Sequence, residues 1–287
     1  MGKIVIVGSG PAGCSAALYA ARAGQEVVVI SMGMGALSKA ELIQNYYGFE
    51  EGITGAELYR QGVAGAKAVG AEFITAEVVG LDYTGSLVVQ TTEGDYPADA
   101  VILATGAGRI APKIAGLAEH EGRGVSYCAT CDAFFYRGKT AAVLGSGEYA
   151  LHEVQALLPL AGKVILCTNG EPLTADFPEG VEICTEKLAA VEGEEKVSAL
   201  RLENGELLPV EGFFVALGVA GSAALARKLG APVENGRIVV DERMQTGIPG
   251  LYAAGDCTGG LLQVCKAVYE GALAATEAIK MLRGKKQ

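Results

Sequence analysis

A short apolar run, Lys3-Ile4-Val5-Ile6-Val7, passes straight into Gly8-Ser9-Gly10-Pro11-Ala12-Gly13, and a helical stretch follows over 12–23. Strand, glycine loop, helix and a second apolar run at 26–30 predict a strand–helix–strand unit that binds a dinucleotide. Each loop residue has a physical job there. Gly8 permits the tight turn, Gly10 lets the backbone approach a pyrophosphate, and Gly13 lets the helix pack closely on the sheet. Pro11 and Ala12 begin the helix, whose unpaired N–H groups and positive dipole end favour phosphate. A carboxylate for the ribose hydroxyls usually ends the second strand of such a unit. Here that place holds Ser31, between Ile30 and Met32.

The pattern restarts at 140–144, a strand that leads into Gly145-Ser146-Gly147-Glu148-Tyr149-Ala150 and a helix over 148–160. A strand at 163–167 closes this second unit. Its end, Cys167-Thr168-Asn169-Gly170, offers neither an acidic residue for a ribose 2′-hydroxyl nor an arginine for a 2′-phosphate. Glu148 puts negative charge where a pyrophosphate would lie. Two readings stay open for this loop: a second dinucleotide site, or a Rossmann-like unit that binds none. Between and after the two units the pattern predicts a helix from a Thr54–Glu57 capping box to about Gly70. It also predicts strands at 72–79, 87–92, 100–104, 181–185, 197–202, 213–216 and 250–253, and a last helix over about 261–282.

Composition excludes several function classes. With 33 acidic and 23 basic residues the formal charge is −10, a poor match for nucleic-acid phosphates. There is no apolar run long enough to span a membrane. The chain enters its first glycine loop with no signal peptide before it, so the seven cysteines are expected in a reducing cytoplasm rather than in a disulfide scaffold.

Cys128-Ala129-Thr130-Cys131-Asp132 carries the chemistry. Two sulfurs at C-x-x-C spacing can close a small disulfide, and such motifs commonly supply a thiolate near neutral pH. A zinc site would ordinarily need a second such pair; none is present, and His120 and His152 are isolated, so no metal is expected. Asp132, beside the second sulfur, is the candidate acid for a departing thiolate. The other five cysteines are expected to be structural.

These residues place the chain close to a known family. Gly8–Gly13, Asn45-Tyr46-Tyr47-Gly48-Phe49, Ala104-Thr105-Gly106, Cys128–Asp132, Gly145–Ala150, Ala254-Gly255-Asp256 and Leu262-Gln263-Val264 occur in the order seen in low-molecular-weight thioredoxin reductases. The resemblance covers nearly the whole chain. It implies an α/β protein with two Rossmann-like dinucleotide-binding domains of the three-layer ββα type. The FAD domain would be discontinuous, 1–112 and 243–287, with a pyridine-nucleotide-type domain, 113–242, inserted and carrying the C-x-x-C. It further implies bound FAD, a homodimer, and thioredoxin as the protein substrate. By this resemblance FAD is held by Gly8, Gly10, Pro11, Ala12, Gly13, Ser31, Asn45, Thr105, Gly106, Gly255, Asp256, Gln263 and Val264. Cys131 is then the sulfur nearer the flavin, Cys128 attacks the substrate disulfide, and Asp132 manages the proton.

The chain departs from the NADPH-using members of that family. They carry a His-Arg-Arg run where this chain has Cys167-Thr168-Asn169-Gly170-Glu171, and Gly-Gly-Gln where it has Met34-Gly35-Ala36. The inserted domain is also short. The segments 35–41, Tyr46-Tyr47 and 259–263 are instead similar to ferredoxin-dependent flavin thioredoxin reductases, so the expected donor is reduced ferredoxin and NADPH is doubtful. Lys39, Arg109, Lys113, Arg123, Arg137 and Lys139 are the candidate cations for an acidic donor. Three alternatives remain: an NAD(P)H-dependent thioredoxin reductase with an atypical nucleotide site, a small-molecule dithiol oxidase, and a flavin redox sensor.

Overall fold

The computed structural model describes residues 2–106, 112, 114–217 and 221–284, without the side chains of Thr130 and Cys131. Its contacts divide the chain into two units, Met1–Arg109 with Gly221–Gln287, and Ile110–Ala220.

The first unit runs through β1 (Lys3–Val7), α1 (Pro11–Arg22), β2 (Glu26–Ser31), α2 (Gly55–Ala68), β3 (Glu72–Thr75), β4 (Val78–Tyr83), β5 (Leu87–Thr91), β6 (Gly94–Ala98) and β7 (Ala100–Leu103). The second contains β8 (Val125–Ser126), α3 (Ala129–Asp132), β9 (Thr140–Leu144), α4 (Glu148–Leu157), β10 (Lys163–Cys167), β11 (Glu182–Cys184), β12 (Leu188–Glu192), β13 (Ala199–Leu202), β14 (Leu207–Pro209) and β15 (Gly212–Val215). The chain then returns to the first unit with α5 (Ser222–Lys228), β16 (Val233–Glu234), β17 (Arg237–Ile238), β18 (Leu251–Ala253) and α6 (Val264–Gly284).

In the first unit a parallel sheet has the order β18-β7-β1-β2-β3. Its central strands are buried on both faces, which is why β1 and β2 read as unbroken apolar runs rather than alternating ones. Val5 lies opposite both Val28 and Val101. Helix α1 buries Ala12, Gly13, Cys14, Ser15, Ala16, Ala17 and Ala20. Such small side chains let α6 come very close: a Cβ added at Gly271 would stand 2.0 Å from the Ala12 carbonyl oxygen. A separate antiparallel sheet has the order β4-β5-β6.

The second unit repeats the plan with a parallel sheet, β11-β10-β9-β15-β8, and an antiparallel one, β12-β13-β14. Phe213, Leu144, Ile165 and Leu200 anchor its core, all nearly fully buried.

Three local expectations change. The run at 72–79 is two strands, because β3 pairs in parallel with β2 whereas β4 joins the antiparallel sheet. The stretch 93–99, expected to hold no element, contains the strand β6, whose Pro97 is tolerated because β6 is an edge strand. The last helix starts at Val264, three residues after the expected Leu261.

Residues 221–242, placed by the sequence reading in the inserted segment, make their contacts with the first unit. Ser222 is one reason: its hydroxyl lies 2.6 Å from that of Thr105, and its N–H donates to Thr105 Oγ1 at 2.9 Å. The hairpin β16–β17 turns through Asn235-Gly236, both at positive φ, the geometry a tight two-residue turn needs.

Candidate active site

The first glycine loop is shaped as its sequence demands. Gly8 has φ +108°, and a Cβ there would stand 2.3 Å from the Ala104 carbonyl oxygen; one at Gly13 would stand 1.9 Å from the Gly8 carbonyl oxygen. Above Gly10, by contrast, a Cβ would meet nothing within 4 Å. The loop is thus closed against the protein and open at the residue where a pyrophosphate would approach. The amino end of α1 has no side-chain cap and no acidic residue in its first turn, so its N–H groups favour an anion.

Ser31 ends β2 and donates to Ser9 Oγ at 2.7 Å, and Ser9 Oγ also lies 3.1 Å from Tyr59 Oη. Three hydroxyls therefore cluster where a carboxylate usually stands. Ser9 and Tyr59 had no signal in the sequence pattern; α2 brings Tyr59 there from a distance of 50 residues.

The other expected cofactor residues fall in two groups within the same unit. Asn45 Nδ2 donates to Gln263 Oε1 at 2.8 Å, just ahead of Val264, the first residue of α6. Thr105 is tied to Ser222 as above, and Gly106 takes φ +78° beside it. Gly255 (φ +85°) precedes the half-buried Asp256. Two residues of α6 that sequence reasoning passed over fix this turn. Glu270 accepts from the Gly255 N–H at 2.8 Å and from Thr258 Oγ1 at 2.9 Å, and Lys266 pairs with Glu270 at 3.0 Å while donating to the Gly255 carbonyl at 2.9 Å.

In the second unit Cys128 is disulfide-bonded and 4% exposed; the side chain of Cys131 lies outside the described residues. The short helix α3 begins at Ala129, directly after Cys128, and polar groups surround its start. Ser126 Oγ donates to Asp132 Oδ2 at 2.7 Å and accepts from the Cys128 N–H at 3.1 Å. Glu153, buried at 1% exposure on α4, accepts from the Ala129 N–H. Burial, followed by the nearby Asp132 carboxylate, holds the Tyr136 hydroxyl above its ordinary pKa. Asp132 is thus fixed by a serine two residues before the first cysteine, and the helix start by a glutamate from the next helix. Neither partner had a sequence signal.

The second glycine loop has the same turn but other surroundings. A Cβ at Gly145 would stand 2.3 Å from the Ala216 carbonyl oxygen, so the tight packing is kept. However, the segment after β10 folds back over the loop: the Thr174 N–H donates to the Ser146 carbonyl at 2.8 Å. A Cβ at Gly147 would already meet Thr174 Oγ1 at 3.1 Å. Glu148 stands in the first turn of α4. One cationic side chain does lie near the strand end, since a Cβ at Gly170 would stand 3.4 Å from Lys187 Cε.

Of the candidate docking cations, Arg109 and Lys113 lie outside the described residues. Arg137 stacks over the exposed Phe134 ring at 5.4 Å, Lys139 over Tyr136 at 6.0 Å, and Lys39 and Arg123 are exposed. Among the described residues no helix is long and apolar enough to cross a membrane.

This geometry can be set beside known proteins. The pyridine nucleotide-disulphide oxidoreductase family matches residues 2–271. The chain belongs to that family. Within it the relatives are thioredoxin reductases. That of Aquifex aeolicus is 36% identical over 308 aligned residues, covering 99% of this chain and 94% of its own. Among solved structures, the atypical thioredoxin reductase TRi from Desulfovibrio vulgaris Hildenborough has a TM-score of 0.93 at 39% identity, covering 99% of both chains. A ferredoxin-flavin thioredoxin reductase from Clostridium acetobutylicum has a TM-score of 0.75 at 35% identity, covering 99% of this chain and 98% of its own. The chain is therefore an enzyme of the low-molecular-weight thioredoxin reductase group, a FAD-dependent oxidoreductase with that group's fold of two parallel Rossmann-like sheets and small antiparallel sheets.

Proposed function

We propose that this flavoprotein reduces thioredoxin through a Cys128–Cys131 disulfide, and that its electrons come from reduced ferredoxin rather than NADPH. The observation that carries the first part is the setting of Cys128. It is disulfide-bonded and sits within a hydrogen-bond web that ends on Asp132. In the reduced state the Cys128 thiolate attacks the substrate disulfide, forming a mixed disulfide and releasing one substrate thiolate. The Cys131 thiolate then displaces the second, closing Cys128–Cys131 and leaving a substrate dithiol. Asp132, oriented by Ser126, delivers a proton to a departing thiolate.

The first glycine loop suits FAD, because it is walled on the protein side and open above Gly10. Gly8 to Gly13 and the Ser9–Ser31 hydroxyls would hold its adenosine and pyrophosphate part. Thr105, Gly106, Gly255, Asp256, Asn45, Gln263 and Val264 would hold the rest. When bound, FAD supplies exchange in one- or two-electron steps, which joins an iron–sulfur donor to a dithiol acceptor.

For the donor, Thr174 folded onto the Ser146 carbonyl and Glu148 at the start of α4 both oppose a pyrophosphate at the second loop. Lys187 against Gly170 is the observation favouring the second reading, a nicotinamide donor with a single cation for a 2′-phosphate. Anaerobic bleaching of the yellow protein decides. NADPH, NADH and photoreduced ferredoxin are offered separately, followed by oxidised thioredoxin. Bleaching by ferredoxin alone, reversed by thioredoxin, is expected; rapid bleaching by either nucleotide would establish the second reading.

A further inference from the structure

The second unit holds another pair of cysteines, which no C-x-x-C spacing reveals. Cys167 ends β10 and Cys184 ends β11, and in the parallel pairing of these strands the two residues stand directly opposite. Adjacent strands run about 4.8 Å apart, inside the ~4.4–6.8 Å range of Cα separations that a disulfide spans. Each thiol is the chief influence on the other's acidity. Cys167 is completely buried, whereas Cys184 lies on the outermost strand of the sheet and is partly exposed. The Thr168 N–H donates to the Cys184 carbonyl at 2.9 Å, and the Gly145 N–H to the Cys167 carbonyl at 3.0 Å, so the pair is clamped at the foot of the second glycine loop.

The two sulfurs differ in protonation. Hydrogen bonds from the Cys167 thiol and the Glu186 backbone, working against burial and the carboxylates of Glu186 and Glu206, lower the Cys184 thiol to about 6. The same hydrogen bond, then burial, Cys184 and Glu182, push the Cys167 thiol far up. The partly exposed Cys184 is thus the more acidic of the two, and the buried Cys167 the less acidic. Elsewhere Cys14 and Cys257 are buried, and burial raises their thiols to about 12 and about 11.

We propose that Cys167 and Cys184 form a second redox-active dithiol, oxidised by hydroperoxides to a cross-strand disulfide. The Cys184 thiolate attacks one oxygen of hydrogen peroxide; the S–O bond forms, the O–O bond breaks, and the hydroxide released takes a proton and leaves as water. Cys184 is then a sulfenic acid, two electrons more oxidised. The Cys167 sulfur, giving up its proton, displaces the sulfenic oxygen as a second water, and the S–S bond closes. Two thiols and one peroxide become one disulfide and two waters.

Trypsin separates the two cysteine pairs. Cleavage after Lys163 and Lys187 leaves Cys167 and Cys184 on one peptide, 164–187, while Cys128 and Cys131 share 124–137. The reduced FAD-loaded protein is treated with equimolar hydrogen peroxide, quenched with iodoacetamide, and digested. Peptide 164–187 is expected to lose two hydrogens, about 2 Da, and to regain them with dithiothreitol. Cys184→Ser should abolish the loss, and Cys167→Ser should leave a dimedone-reactive sulfenic acid at Cys184. A wild-type peptide that stays doubly carbamidomethylated, or that carries dimedone on Cys184 with Cys167 free, would overturn the proposal. The wild-type digest decides even if the buried Cys167→Ser variant does not fold.

Discussion

Ser126 and Glu153 do more for the cysteine helix than their positions in the sequence suggest. Ser126 Oγ bridges the Cys128 N–H and the Asp132 carboxylate. Removing it leaves a buried N–H unpaired and frees the carboxylate to rotate, a loss of about 1–3 kcal/mol. Ser126→Ala is expected to slow thioredoxin turnover while the flavin still bleaches normally with its donor, a split that stopped-flow absorbance resolves. Asp132→Asn should slow the thiol step in the same way; loss of FAD from that variant would instead give Asp132 a structural role. Cys128→Ser should abolish thioredoxin reduction and keep flavin reduction, and normal turnover in that variant would refute its assignment as the attacking sulfur. Cys184 makes a prediction of another kind. Its thiol is lowered to about 6, and the charged form is the nucleophile, so the alkylated fraction formed at fixed time should rise as pH increases through about 6. Mass spectrometry of peptide 164–187 reads this directly, and a rise near the ordinary thiol value of about 8.5 would contradict it.

Among elements, the contact between α1 and α6 sets the first unit. Gly13 and Gly271 exist because backbone atoms, not side chains, are their neighbours; a Cβ would stand 1.9 Å from the Gly8 oxygen and 2.0 Å from the Ala12 oxygen, respectively. A backbone oxygen has no rotamer by which to move aside, so a side chain at Gly13 would push α1 off the glycine loop and one at Gly271 would push α6 off α1. Gly271→Ala is expected to cost about 1–3 kcal/mol of stability, the usual cost of overpacking, and thermal unfolding of the apo and FAD-loaded protein measures it. An unchanged melting temperature would mean that the two helices tolerate separation. The Lys266–Glu270 pair works across the same region, from α6 to the Gly255 turn. Glu270 is buried and Lys266 mostly so, and both are hydrogen-bonded to the turn, so removing one partner leaves the other charge uncompensated. Glu270→Ala should therefore lower FAD retention on gel filtration more than Lys39→Ala, an exposed change.

For the molecule as a whole, the charge of −10 sets the terms on which it meets a partner. An acidic iron–sulfur donor is steered only by a local basic surface, and salt weakens such steering. The rate of bleaching by ferredoxin should accordingly fall as ionic strength rises; a salt-independent rate would argue against electrostatic docking. Whether this chain pairs with a second copy, as the sequence resemblance leads one to expect, is read by sedimentation velocity of the FAD-loaded protein. A monomer at all concentrations would separate this chain from the family in assembly.

The local chemistry was legible in the chain. Glycine loops, the repeated strand–helix–strand order and the Thr54 cap, which accepts from the Glu57 N–H at 3.2 Å, are written in neighbouring residues. Their conformational needs are met within a few positions. What the sequence left open are pairings between distant positions. Tyr59 with Ser9, Ser222 with Thr105, Glu153 with the Ala129 N–H, Glu270 with Gly255, and Cys167 with Cys184 have no shared periodicity or spacing. Sheet order and helix crossing decide which of these side chains meet. The buried polar groups among them are then held because each finds a partner that water would otherwise have supplied.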